Sequence, residues 1–138
     1  HDYGEGCACP MGALAREFIE KLKADGMQVI VDTDAGIEHF GRGVEAGSDR
    51  IVVVIDPSFE SVQLSEKISE MGAKINKPVC FILNRMNEDA AELSSLVDGK
   101  KVIGSVPFDR DVFQACLKGS QVPQLAEMKE IVDRLLAE

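Results

Sequence analysis

The sequence predicts an α/β fold, an open and mostly parallel sheet with helices on both faces. Four short apolar runs alternate with segments of helical periodicity along the 138 residues. The runs are nearly continuous in apolar residues, which is typical of parallel strands that are covered on both faces. The β-α-β-α order favours right-handed crossovers between neighbouring strands of one sheet.

The strands are predicted from the apolar runs, each of which ends in polar or turn-forming residues. They are expected at residues 28–32 (QVIVD), 50–56 (RIVVVID), 78–84 (PVCFILN) and 101–106 (KVIGSV). Their continuous apolar character, with no alternation of polar residues, indicates strands that lie inside the fold.

The helices are predicted from apolar residues that recur at helical spacing between these runs. They are expected at residues 11–24, 59–75, 87–97, 109–117 and 124–136. The apolar stripes are Leu14, Phe18 and Leu22 in the first helix, Leu64, Ile68, Met71 and Ile75 in the second, and Leu125, Met128, Val132 and Leu135 in the last. Such stripes predict helices that bury one side against the sheet.

Charge and hydropathy argue against two classes of partner. Fifteen Lys and Arg against 24 Asp and Glu give a net charge of −9, whereas nucleic-acid binding needs clustered basic residues. No apolar stretch approaches the roughly 20 residues that span a bilayer. The polar face of the last helix is mixed in sign, whereas a helix on a membrane surface would be basic there. We therefore expect no nucleic acid and no membrane as partners, and a cytoplasmic location.

The four cysteines divide into two pairs of different character. Cys80 lies in an apolar run and Cys116 in a predicted helix, so both are expected to be small buried hydrophobes. Cys7 and Cys9 can bind one metal ion as thiolates, but a tetrahedral site needs two more ligands. We expect a second copy of the chain to supply them across a two-fold axis. A redox pair or two inert thiols are the alternatives.

Polar groups follow all four predicted strands, at the sheet edge where open α/β folds bind ligands. The first strand ends at Asp32, a carboxylate that resembles the second nucleotide motif of a P-loop ATPase, which holds magnesium directly or through water. Gly36 follows closely, and without a side chain it can bring its backbone N–H near a terminal phosphate. We predict Asp32 and Gly36 as catalytic residues. A strand-to-loop turn with a surface acidic pair is the alternative.

Two further strand ends resemble the base-recognition turns of nucleotide hydrolases. Asn84 follows the third apolar run, and its amide carries both a donor and an acceptor that can read an adenine edge. Pro107, Phe108 and Asp109 after the fourth run would supply the other wall of a base pocket. The alternative is a turn Asn and a structural Pro. Asp56, at the end of the second run, is interpreted as an ordinary turn residue.

Several of these motifs together resemble one protein family. The segment GEGCACP at 4–10 resembles the cysteine motif of the CooC-type maturation ATPases of carbon monoxide dehydrogenase, within the wider MinD/ParA-like P-loop group. The segment DTDAGIEHF at 32–40 is similar to that family's magnesium and switch motif. Asn84 with Arg85, and VPFD at 106–109, are similar to the base-binding turns of the wider group. The resemblance covers essentially the whole chain, but only the family's C-terminal part.

The resemblance implies a truncated P-loop NTPase-like domain, because the G-x-x-x-x-G-K-[ST] phosphate loop does not occur in this sequence. Residues 1–138 would be a single C-terminal portion of a nucleotide-binding domain without the first strand. The resemblance also implies ATP or ADP with magnesium in the full-length protein, with Arg85 among the base-binding residues. It leaves open whether this chain hydrolyses ATP.

The resemblance further implies a homodimer that holds zinc or nickel at Cys7 and Cys9. Its client would be carbon monoxide dehydrogenase, into whose active-site cluster nickel is inserted. A ParA/MinD-like partition or positioning ATPase is one alternative. A non-catalytic metal- or partner-binding module is another.

Overall fold

The structure, a computed structural model, describes residues 14, 17–19, 21–22, 28–33, 36–37, 40, 44–88 and 92–137. A 3-10 helix at Val44–Gly47 precedes the sheet. The strands and helices that follow are β1 (Ile51–Ile55), α1 (Phe59–Lys74), β2 (Val79–Met86), α2 (Glu92–Leu96), β3 (Val102–Pro107), α3 (Arg110–Lys118) and α4 (Ala126–Leu136). The strands form an open parallel sheet in the order β1-β2-β3. The predicted α/β fold, an open parallel sheet with helices between its strands, is therefore confirmed.

Three of the four predicted strands are confirmed to within two residues, and the strand predicted at 28–32 is wrong. Residues 28–33 have no regular secondary structure, and the side chain of Ile30 is 93% exposed. An apolar run becomes a strand only when a neighbour takes up its backbone hydrogen bonds. None of the three described strands pairs with this run.

The chain divides into two compact units, one of His1–Ile51 with Glu66–Val79 and one of Val52–Ser65 with Cys80–Glu138. In the first unit, Phe40 and Ile68 are buried. Gly72 of α1 packs so closely that a Cβ there would overlap Cγ2 of Val79. The predicted stripe of α1 is confirmed, because all four of its members are buried or half-buried.

The core of the second unit joins β2, β3 and α4. Its buried residues are Cys80, Ile82, Ile103, Val106 and Ile131. Phe81 and Leu83, which alternate with these residues along β2, are buried as well. Side chains that alternate along a strand lie on opposite faces, so both faces of β2 are covered.

The apolar stripe predicted for α4 is half right. Leu125 and Leu135 pack against the core, whereas Met128 and Val132 are 43% and 44% exposed. The most buried side chain of the helix is Ile131, at 1% exposed. It packs on β3 where Gly104 carries no side chain, and this close approach sets which side of α4 faces the sheet.

The cysteine predictions divide in the same way. Cys80 is buried as predicted, but Cys116 is exposed. The prediction for Cys116 is wrong because α3 buries the preceding residue, Ala115. Cys7 and Cys9 lie outside the described residues.

Among the residues that the structure describes, no helix is long and apolar enough to cross a membrane.

Candidate functional site

The carboxyl end of the sheet in the second unit brings Asp56, Asn84 and Arg85 together, a group named here the Asp56 cluster. Asp56 follows β1, and the other two residues lie near the end of β2. Asn84 Nδ2 donates a hydrogen bond to Asp56 Oδ1 at 2.9 Å. Arg85 Nη1 lies 3.5 Å from Asp56 Oδ2. One carboxylate therefore holds two side chains of the neighbouring strand.

Sequence reasoning missed the part that Asp56 plays in this cluster. In the sequence it precedes Pro and Ser and has the signature of a turn. Its backbone fits that interpretation, since Ser58 N donates to Asp56 O at 2.7 Å. The available signal was topological: an acidic residue ends one strand where Asn-Arg ends the next strand of the same parallel sheet.

The backbone at Arg85 explains how adjacent residues reach the same carboxylate. Successive side chains of a regular strand point to opposite faces, which would separate Asn84 from Arg85. Arg85 instead has φ of 55°, in the left-handed region, and the β2–β3 register is irregular between Leu83 and Met86. Such irregularities redirect side chains and are common beside functional sites. The local distortion of β2 therefore assembles the Asp56 cluster.

The strain at Arg85 can be measured with two variants that both remove the guanidinium. Arg85→Gly is expected to be more stable than Arg85→Ala by about 1 kcal/mol, because only glycine adopts this φ without steric cost. The exposed ion pair to Asp56 is lost equally in both and contributes at most about 1 kcal/mol. Urea denaturation of the two variants gives the difference. Equal stabilities would show that the backbone at 85 is unstrained.

Pro107, Phe108 and Asp109, named here the second wall, lie at the same sheet edge as the Asp56 cluster. Phe108 N donates to Met86 O at 2.8 Å, which ties the loop after β3 to the end of β2. The Phe108 ring is 51% exposed and its centroid lies 6.1 Å from that of Phe113. Pro107 pairs with Met86 at the end of the β2–β3 ladder. An exposed aromatic ring is thereby held at the same sheet edge as the cluster.

Asp109, predicted to bind a cofactor, caps a helix in the structure. Its Oδ1 accepts hydrogen bonds from the backbone N–H groups of Asp111 at 2.7 Å and Val112 at 2.8 Å. This is the N-cap arrangement, which satisfies the first donors of α3. The carboxylate therefore fixes the start of α3 directly after Phe108, and through it the position of the second wall.

The two predicted catalytic residues lie in the first unit. Asp32 is exposed, and an exposed carboxylate suits magnesium, which keeps several waters and takes one or two carboxylates. Gly36 has φ of 113°, a conformation that side chains rarely adopt, and among the described residues other than its chain neighbours no atom lies within 4 Å of where its Cβ would be. Within the described ranges, no group of three or more His, Cys, Asp or Glu residues could hold a metal ion.

The chain is similar to curated ATP-binding proteins. It is 49% identical to an ATP-binding protein of Methanocaldococcus jannaschii over 98% of this chain and 55% of that protein. It is 34% identical to the carbon monoxide dehydrogenase accessory protein CooC of Rhodospirillum rubrum over 77% of this chain and 42% of that protein. It is 25% identical to the septum site-determining protein MinD of Bacillus subtilis over 78% of this chain and 44% of that protein.

The chain spans about half the length of the curated relatives that it matches, 55% of the first and 42% of the second. No family model matches it. No solved structure matches it either.

Proposed function

Because the chain is a homologue of ATP-binding proteins of the MinD/ParA-like family, we propose that it carries the base-binding edge of a P-loop ATPase. Residues 1–138 would then be the C-terminal portion of the nucleotide-binding domain. The observation that carries the proposal is the Asp56 cluster, in which a distorted strand holds Asn84 and Arg85 on one carboxylate. Its position at the carboxyl end of a parallel sheet is where such folds bind ligands.

The chemistry of this edge suits an adenine base. The amide of Asn84 offers both an acceptor and a donor, as an adenine edge does in complementary order. The exposed ring of Phe108 offers a stacking surface, and stacking of a base on an aromatic side chain contributes about 1–3 kcal/mol. Arg85, Pro107 and Asp109 complete the proposed base-binding set by holding the cluster and the second wall in place.

In the proposed ATPase, Asp32 would hold magnesium, which neutralises charge on the nucleotide phosphates when it is bound. Gly36 would present its backbone N–H to the terminal phosphate, since no Cβ blocks the approach. The proposal assigns ATP hydrolysis to the whole protein, because the relatives extend well beyond the part that aligns with residues 1–138.

The base-binding proposal is tested by titrating the ¹⁵N-labelled chain with ATP and following its NMR spectrum. The shifts are expected to concentrate at Asp56, Asn84 and Phe108. Asn84→Ala is expected to weaken binding by about tenfold, the value of one good hydrogen bond pair. Gln63→Ala removes an exposed amide from α1 and is expected to leave the affinity unchanged. Shifts that avoid the Asp56 cluster would contradict the proposal.

We also propose a role for the whole protein in metal delivery. Cys7 and Cys9 of two copies would bind one zinc or nickel ion, and the homodimer would insert nickel into the active-site cluster of carbon monoxide dehydrogenase. Two observations support metal delivery over a positioning role such as the name of MinD describes. The identity to the carbon monoxide dehydrogenase accessory protein is 34%, against 25% to MinD. Paired thiolates are also a donor set that suits zinc and other soft-ligand metals.

A further inference from the structure

We propose that Asp56 sets the base preference of this edge by fixing which end of the Asn84 amide faces the ligand. The inference rests on the proposed function, because it concerns the same base-binding site. Asp56 acts through Asn84, so it is a positioning residue.

The orientation of the amide follows from the chemistry of its partner. An ionised carboxylate only accepts hydrogen bonds, so the group that Asn84 places 2.9 Å from Asp56 Oδ1 must be its NH₂. A reversed amide would set its carbonyl oxygen against the carboxylate, two acceptors face to face. The planar amide then directs its carbonyl Oδ1, with the second N–H beside it, away from Asp56.

The carboxylate and the backbone of Asp56 each have a further partner. Arg85, which can only donate, lies 3.5 Å from the other oxygen, Oδ2. The backbone carbonyl of Asp56 accepts from Ser58 N at 2.7 Å, in the turn between β1 and α1. Ser58 Oγ in turn accepts from Ser61 N at 3.1 Å at the start of α1. The group that orients Asn84 is therefore itself positioned by neighbouring residues.

This orientation discriminates between purine bases. On its Watson–Crick edge, adenine presents the N6 amino donor beside the N1 acceptor, and these match an outward carbonyl oxygen with an N–H beside it. Guanine presents the O6 acceptor beside the N1–H donor, the reverse order, so its O6 would oppose the Asn84 carbonyl. A site built in this way prefers adenine nucleotides over guanine nucleotides. The preference is lost if the amide can turn over.

The test compares ATP and GTP on the same chain. Asp56→Asn replaces the acceptor-only carboxylate with an amide that can donate or accept, so that Asn84 can adopt either orientation. By NMR titration, the chain is expected to bind ATP about tenfold more tightly than GTP, and Asp56→Asn to bring this ratio near one. Asp56→Ser, whose hydroxyl also donates or accepts, is expected to lose the preference in the same way.

The ratio of the affinities for ATP and GTP separates a positioning role of Asp56 from the general effect of losing its charge. Removing a carboxylate shifts the affinities for both triphosphates together, which leaves their ratio unchanged. Asp111→Asn removes an exposed carboxylate from the first turn of α3 and is expected to keep the wild-type ratio. Thermal denaturation checks that each variant is folded.

The outcomes distinguish this inference from the proposed function. If Asn84→Ala weakens ATP binding but both Asp56 variants keep the wild-type ratio, the role of Asp56 is refuted and the base-binding edge stands. Equal affinity of the unmodified chain for ATP and GTP refutes the role of Asp56 as well. If neither nucleotide shifts the resonances of the Asp56 cluster, the proposed function fails and the inference fails with it.

Discussion

Gly104→Ala is expected to lower the free energy of unfolding by about 1–3 kcal/mol, a large effect for one added methyl group. A Cβ at position 104 of β3 would overlap Cγ1 of Ile131 and lie 2.9 Å from its Cδ1. Ile131 is 1% exposed and surrounded by the core of the second unit, so it has no space to move into. Arg134 Nη1 also donates to Ile103 O at 2.9 Å, which ties α4 to β3 beside the contact.

A double-mutant cycle in urea denaturation isolates this contact. Ile131→Ala alone is expected to cost about 2–5 kcal/mol, because it leaves a cavity in the core. The double variant Gly104→Ala with Ile131→Ala is expected to cost clearly less than the sum, since the new methyl enters the space that the isoleucine left. Additive costs would show that the close approach of Gly104 to Ile131 does not determine the packing of α4.

Replacing both Cys7 and Cys9 with Ser is expected to abolish metal binding by the protein. In the proposed site, four thiolates from two copies surround one ion, so the protein should bind about one zinc ion per two chains. Serine hydroxyls do not replace thiolates as ligands, and both the ion and the metal-linked dimer are expected to be lost. Elemental analysis gives the stoichiometry, and light scattering with and without chelator gives the mass.

The matched control for this experiment is Cys116→Ser. Cys116 is an exposed cysteine of α3, so the variant removes an accessible thiol without touching the proposed site. It is expected to retain both the metal and the dimer. Unchanged metal content in the Cys7 and Cys9 double variant would refute the shared site, as would a disulfide between these two residues in the purified protein.

The strands that the sequence predicted correctly are those that find partners within the described chain. The apolar runs at 50–56, 78–84 and 101–106 became β1, β2 and β3, because each lies beside another run of the same kind. The run at 28–32 has the same composition and did not become a strand. A strand forms only when two segments of the chain pair through their backbones, and a single apolar run specifies only one of the two.

The candidate site shows the same division. The order of elements placed Asn84 and Phe108 at one edge, because all carboxyl ends of a parallel sheet face the same way. The same rule applied to Asp56, but its turn sequence concealed that its carboxylate binds the next strand. Arg85 reaches this carboxylate because its backbone has a left-handed φ. An arginine in the sequence does not indicate such a φ.

Periodicity and strand order, which depend on neighbours along the chain, thus determined the α/β architecture and the edge where a ligand would bind. The tertiary structure decided which side of α4 is buried, whether Cys116 is exposed, and that Asp56 holds Asn84 and Arg85. The reason is physical: spacing fixes which side chains share a face. The partner that each face meets depends on close approaches such as Gly104 to Ile131, between residues far apart in sequence.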